Sequence, residues 1–159
     1  MAISTTVYNW LQDHHVDYDV LEHSHSSSSM QTAIAARVPA RQLAKAVVLK
    51  DPAGHHFMAV VPAANRLRMH ELRDMLADDL QLVSEEELSD IFPDCETGAV
   101  PALGQPYGID MIWDDELQQS SDVYLEGGDH EQLIHLDQQV FESLMLESQH
   151  GDISEAMTF

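Results

Sequence analysis

Hydrophobic side chains recur at helical spacing in five stretches of the chain. Residues three and four apart share one face of a helix, so each stretch predicts an amphipathic helix. The five helices lie near residues 4–14, along Met30 to Val38, along Met69 to Leu76, after Ser84, and along Val140 to Met145. Ser84 with Glu87 has the spacing of a capping box, and Asp137 can cap the last helix.

Seven other stretches are short and apolar, which is typical of strands. They lie near residues 18–23, 44–50, 57–61, 80–83, 109–113, 123–125 and 133–136. The turn 51–54 joins two of them into a central hairpin, whose near-continuous hydrophobic runs indicate burial on both faces. Residues 92–108 are predicted as a loop and residues from about 148 as a frayed tail. The pattern therefore predicts an α/β fold of about six or seven strands.

Composition limits the possible function classes. The 159 residues suit a single domain over 1–159, with its core at about 4–146 and its tail at 147–159. The formal net charge is −21, from 28 Asp and Glu against seven Lys and Arg, and every base lies at or before Arg73. This excludes a generic basic nucleic-acid binder, because affinity for phosphates comes from Lys and Arg.

Cysteine content and hydropathy indicate the compartment. A single cysteine, Cys95, excludes an internal disulfide. The first residues resemble no signal peptide, and no stretch approaches the ~20 apolar residues of a membrane helix. We therefore expect a cytoplasmic protein without a membrane partner.

Two features could carry chemistry, and each has a plainer interpretation. Lys45 begins an apolar strand, where it is either an edge lysine that reaches water or a pocket lysine that holds a carbonyl, carboxylate or phosphate oxygen. The loop 95–104 contains Gly98 and Pro101, so it is either a structural turn or a cradle of N–H groups for a small ligand.

The remaining candidate residues favour structural roles. The histidines form no recognised metal motif, so we expect no metal. Cys95 has no neighbouring base and reads as a packed thiol. The run 114–116 is acidic, as is typical of a solvated helix start.

Five segments in this order resemble the YbaK/ProX family, the aminoacyl-tRNA deacylases that also occur as the editing insertion of bacterial prolyl-tRNA synthetases. The segments are Tyr18-Asp-Val-Leu-Glu-His23, Leu43-Ala-Lys45-Ala-Val-Val-Leu-Lys50, Val60-Val-Pro62, residues 92–104 with Gly98-Ala-Val-Pro101-Ala-Leu-Gly104, and Val123-Tyr-Leu-Glu-Gly127-Gly128. The resemblance runs over about residues 16–146. It implies a mixed, partly barrel-like sheet flanked by helices.

The resemblance also implies an activity and its residues. Family members hydrolyse the ester of a mischarged tRNA, typically one carrying Ala or Cys, without a metal, a cofactor or an enzyme nucleophile. The catalytic positions would be Lys45, Gly98, Ala99 and Val100. The substrate-binding positions would be His23, Pro101, Ala102, Asp114, Gly127 and Gly128. The partner would be the 3′ aminoacyl-adenosine end of the tRNA, with a synthetase as a further partner.

Two departures from the family pattern bear on function. Ala102 stands where the loop motif usually has proline, which loosens the cradle. The strong acidity slows an encounter with a polyanion such as tRNA. Either the bases of the first half gather around the pocket, or the protein no longer acts on free tRNA. The alternative function is a non-catalytic regulatory or binding module whose acidic half contacts a basic protein.

Overall fold

Five α-helices occur in the computed structural model, which describes residues 3–157. They are α1 Thr5–Asp13, α2 Ser29–Ala36, α3 Met69–Leu76, α4 Glu85–Ile91 and α5 Gln138–Met145. Four begin at a side chain that accepts a hydrogen bond from an N–H of the first turn, namely Ser4, Ser28, Ser84 and Asp137. These caps satisfy N–H groups that have no partner within the helix.

The strands form one large mixed sheet and one small one. They are β1 Asp19–Glu22, β2 Leu43–Lys50, β3 His56–Pro62, β4 Asn65–Leu67, β5 Gln81–Leu82, β6 Asp110–Asp114, β7 Asp122–Glu126, β8 Gln132–Asp137, β9 Gln149–Gly151 and β10 Ser154–Ala156. Within residues 3–157 the large sheet has the order β1-β8-β7-β2-β3-β6-β9, with β5 also paired to β2. β4 and β10 form the second sheet.

The predicted mixed α/β fold is confirmed. All seven predicted strands lie in the large sheet, and the central hairpin is the antiparallel pair β2–β3. Both of its strands contribute fully buried residues, Leu49 and Val61 among them. In the described part of the chain, no helix is long and apolar enough to cross a membrane.

The frayed tail predicted from residue 148 is wrong. β9 pairs in parallel with β6, and β10 pairs in antiparallel with β4. Ile153, between them, is fully buried. The segment therefore closes one edge of the large sheet and supplies half of the small one.

Asp114 fixes this segment and is not the solvated residue that the acidic run suggested. Only 3% of its surface is exposed. One carboxylate oxygen accepts a hydrogen bond from the N–H of Glu116 at 2.8 Å. The other accepts from Ile153 N at 3.0 Å and Ser154 Oγ at 2.7 Å. The sequence could not show this contact, because the residues that Asp114 binds lie about forty positions further along the chain.

We expect Asp114→Ala to lower the free energy of unfolding by about 3 kcal/mol, because three hydrogen bonds to a buried carboxylate are lost and their donors stay buried. Urea unfolding measures the change. Asp110→Ala is the matched control, since Asp110 is exposed on the same strand, and it should change stability by less than about 0.5 kcal/mol. Equal losses in the two variants would contradict this role for Asp114.

Candidate functional site

The large sheet opens along one edge of β2. β7 pairs with the beginning of that strand, at Leu43 and Ala44, and β5 pairs with its end, at Leu49 and Lys50. Between these pairings a cavity of about 250 Å³ lies against β2. Its wall consists of Ser27, Ser28, Ser29, Lys45, Ala46, Val48, Leu88, Gly98, Val100 and Glu126. The cavity thus combines an apolar surface with one basic and one acidic side chain.

A larger groove of about 640 Å³ lies elsewhere, along α1, β6 and α5. Trp10, Asp110 and Leu146 are among the residues that line it. It contains none of the predicted site residues, so the cavity at β2 is the candidate site.

Lys45 lines this cavity and is half-buried. Burial lowers the pKa of its ammonium group. The other lysine of the strand, Lys50, is paired with Glu87 at 2.9 Å, whereas no side chain in residues 3–157 forms an ion pair with Lys45. Its positive charge therefore faces the cavity without a counter-ion.

The loop that follows Cys95 forms the opposite wall through Gly98 and Val100. Gly98 has φ +83°, a conformation that favours glycine. The N–H of Ala99 donates to the carbonyl of Glu96 at 3.0 Å, so it cannot serve a ligand. The N–H groups of Gly98 and Val100 make no hydrogen bond with any residue that the structure describes. Two of the three predicted cradle donors are therefore free.

The loop is attached to the turn after β7. Glu96 N donates to the Gly128 carbonyl at 2.7 Å, and His130 Nε2 donates to the Thr97 carbonyl at 2.6 Å. Gly127 lies between two close neighbours, since a Cβ there would be 2.8 Å from the Gln132 oxygen. Both predicted glycines thus support the loop from behind and do not line the cavity.

Four other predicted residues lie outside the cavity wall. Pro101 and Ala102 are buried behind the loop, and Ala102 belongs to the main hydrophobic core. Asp114 is at the far end of β6, where it binds the last strand segment. His23 is half-buried near Glu126, and its Nδ1 donates to the Ser24 carbonyl at 2.7 Å.

Glu126 is the site residue that the sequence analysis missed. It is the last residue of β7 and only 2% exposed. Burial raises the pKa of its carboxyl group. Neither carboxylate oxygen has a hydrogen-bond partner within residues 3–157. Strand alternation from Val123 and Leu125 puts position 126 on the other face, and an acid before two glycines is typical of a solvated turn, so no local signal identified it.

Cys95 is a packed thiol, as predicted. Burial raises its pKa to about 11, so little thiolate is present at neutral pH. Its sulfur lies 3.5 Å from Tyr107 Oη, within a network that also joins Ser4 to Asp94 at 2.5 Å. Although burial opposes ionisation, hydrogen bonds from Ser4, Thr6 and Tyr107 lower the pKa of Asp94 to about 2. The network anchors the start of the loop to α1.

The other bases do not surround the cavity. Lys45 is the single basic residue of its wall. Arg66 pairs with Glu155 at 2.8 Å, and Arg68 pairs with Glu71 at 3.1 Å. In the part of the chain that the structure describes, no three His, Cys, Asp or Glu side chains converge on a metal position. The ring of bases considered in the sequence analysis is therefore absent from the site.

We expect Gly127→Ala to lower the free energy of unfolding by about 2–3 kcal/mol, because the added methyl group must displace the Gln132 backbone. Gly98→Ala should cost only about 1 kcal/mol, since its Cβ would have room and the strain comes from φ alone. Urea unfolding of both variants measures the difference. A Gly127→Ala protein as stable as the wild type would exclude a supporting role for this turn.

Solved structures similar to this chain share its fold. A hypothetical protein has a TM-score of 0.83 and 20% identity, covering 94% of this chain and 99% of its own. A candidate trans-editing enzyme for prolyl-tRNA synthetase has a TM-score of 0.81 and 21% identity, covering 96% and 97%. A candidate signal transduction protein from Marinobacter aquaeolei VT8 has a TM-score of 0.73 and 20% identity, covering 94% and 30%.

The family comparison covers most of the chain and includes the whole cavity wall. Among curated proteins none matches this chain. The family model described as the aminoacyl-tRNA editing domain matches residues 23–144, which confirms the resemblance drawn from the sequence. The chain therefore belongs to the aminoacyl-tRNA editing domain family.

Proposed function

We propose that this protein hydrolyses the ester bond of a tRNA charged with a small, incorrect amino acid, acting on it in trans. The observation that carries the proposal is that one cavity at β2 is lined by Lys45, which has no ion-pair partner, and by Gly98 and Val100, whose N–H groups make no hydrogen bond within residues 3–157. Membership of the editing family supports it, as does the similar structure described as a candidate trans-editing enzyme. The proposal places the reaction in the cytoplasm, where charged tRNA is used.

The chemistry needs positioning more than a reactive side chain. An aminoacyl ester is already activated, so a bound water can attack its carbonyl carbon. The N–H groups of Gly98 and Val100 would stabilise the negative oxygen of the tetrahedral intermediate. The C–O bond to the ribose then breaks, and the ribose oxygen leaves with a proton. Lys45 would hold an oxygen at the adenosine end of the substrate.

The size of the cavity favours a small amino acid. Its volume of about 250 Å³ lies below the roughly 300–1,000 Å³ of typical ligand pockets. Ala46, Val48 and Leu88 form its apolar wall. A bulky side chain would be excluded by contact with this wall, as in a second editing sieve. Alanine, cysteine and serine are the candidate amino acids.

We expect Lys45→Ala to slow deacylation of Ala-, Cys- or Ser-charged tRNA by about 100-fold, because an interaction with the reacting substrate is lost. Single-turnover release of the labelled amino acid measures the rate. Lys50→Ala is the matched control: it removes the other lysine of β2, whose pairing with Glu87 lies outside the cavity, and should change the rate less than about threefold. Equal rates for the two variants, or no turnover by the wild type, would contradict the proposal.

A second candidate function is a binding module whose acidic half contacts a basic protein. The observation that favours it is that Lys45 is the only base of the cavity wall, while Arg66 and Arg68 are bound to acids. This function predicts a complex with a basic protein that dissociates as salt rises from about 0.1 M to 0.5 M, because the charges become screened. Pull-downs across ionic strength, together with the deacylation assay, separate the two functions. Turnover without such a complex would exclude the binding module.

A further inference from the structure

Glu126 is a buried carboxylate that nothing in the fold requires. It is 2% exposed, and neither oxygen has a partner among residues 3–157. The hydroxyl of Thr32 lies near enough to lower the pKa of Glu126, and it is also bonded to Ser26 Oγ at 2.5 Å. Burying an acid without a partner costs stability. A positively charged partner from outside the protein would offset that cost.

Lys45 and Glu126 directly follow the last residues that pair β2 with β7. Leu43 pairs with Tyr124 and Ala44 with Leu125, so the next position on each strand is Lys45 and Glu126. Both side chains line the cavity. They nevertheless form no ion pair with each other in the described structure, where Lys45 has no acidic partner. The cavity thus presents a positive and a negative group as separate binding points.

Two histidine nitrogens near Glu126 are also buried and unpaired in the described part of the chain. His23 donates through Nδ1 and His130 through Nε2 to backbone carbonyls, which can only accept. In each neutral ring the other nitrogen is therefore a lone-pair acceptor. Those two atoms, His23 Nε2 and His130 Nδ1, are buried and have no partner within residues 3–157. Both rings lie close to Glu126, since a positive charge on either one would lower the pKa of its carboxyl group.

A group that suits these acceptors must bring several donors and a positive charge. A primary ammonium has three N–H donors and no acceptor. A ribose hydroxyl has one donor and carries no charge, so it would satisfy Glu126 less completely. In an aminoacyl ester, the carbon that carries the α-ammonium is bonded to the carbonyl carbon that is attacked. One small cavity can therefore hold both groups.

We propose that Glu126 binds the α-ammonium group of the aminoacyl ester, while Lys45 binds an oxygen at the other end of the same substrate. This assignment rests on the proposed function, because that function supplies the ammonium. It makes the site selective for amino acids with a free α-amino group. Glu126 then orients the ester carbonyl toward the N–H groups of Gly98 and Val100.

Two non-hydrolysable ligands test the assignment. In 3′-alanylamino-3′-deoxyadenosine and 3′-propionylamino-3′-deoxyadenosine an amide replaces the ester, and the two differ only in the α-ammonium group. Calorimetry should show that the wild type binds the alanyl compound about tenfold more tightly or better, because a charge-assisted hydrogen bond is made. Glu126→Gln should bind both compounds about equally. Glu131→Gln, which changes an exposed acid five residues on, should keep the preference.

Thermal unfolding shows whether each variant is folded, and Glu126→Gln should be at least as stable as the wild type because an unpaired buried charge is removed. The assignment is overturned if the wild type binds the two compounds equally or binds neither, or if Glu126→Gln keeps the preference. A wild type that shows the preference but hydrolyses no charged tRNA would refute the proposed function and leave the assignment of Glu126 standing. A wild type that hydrolyses charged tRNA but does not prefer the alanyl compound would support the proposed function and overturn the assignment of Glu126.

Discussion

The site depends on the short pairing between β2 and β7. The two strands stay in register for only two positions, ending at Ala44 and Leu125. Beyond that point β2 has a free edge until β5 covers its last residues. A strand in the middle of a sheet normally has both edges paired, so this opening creates a cavity inside a well-packed structure. One wall of the opening is the strand β2, and another is the loop with Gly98 and Val100.

Lys45 and Glu126 occupy the two sides of this opening, and the fold must tolerate both charges without pairing them. Surrounding structure compensates for the cost. The loop with Gly98 is bonded to the turn after β7 through Glu96 and Thr97, and the network of Ser4, Asp94 and Tyr107 anchors its start. Such rigidity is what positional catalysis requires, because small displacements of the reacting groups are costly. The hydrogen bonds that hold the loop thus offset part of the stability that is lost by burying the two side chains.

Local signals in the sequence predicted the helices and the larger strands, because caps and hydrophobic periods act over a few residues. They failed where a partner is distant: β10 pairs with β4 almost ninety residues earlier, and Asp114 binds residues about forty positions later. For Lys45 and Gly98, the residue types alone left a structural and a functional interpretation open. Glu126 was missed because its burial follows from the register between β2 and β7, which no local pattern contains.

Ion pairs link the near-neutral first part of the chain to the acidic second part. Arg66 and Arg68, from the near-neutral first part, bind Glu155 and Asp152 of the acidic second part, so these bases stabilise the chain's own last segment. They are therefore not a surface for phosphates. At physiological salt, repulsion between the acidic surface and tRNA fades beyond about 8 Å, whereas charges inside the cavity are screened much less. Under the proposal, recognition is then concentrated at the end of the substrate, where Glu126 and Lys45 bind an ammonium group and an oxygen at separate points of one cavity.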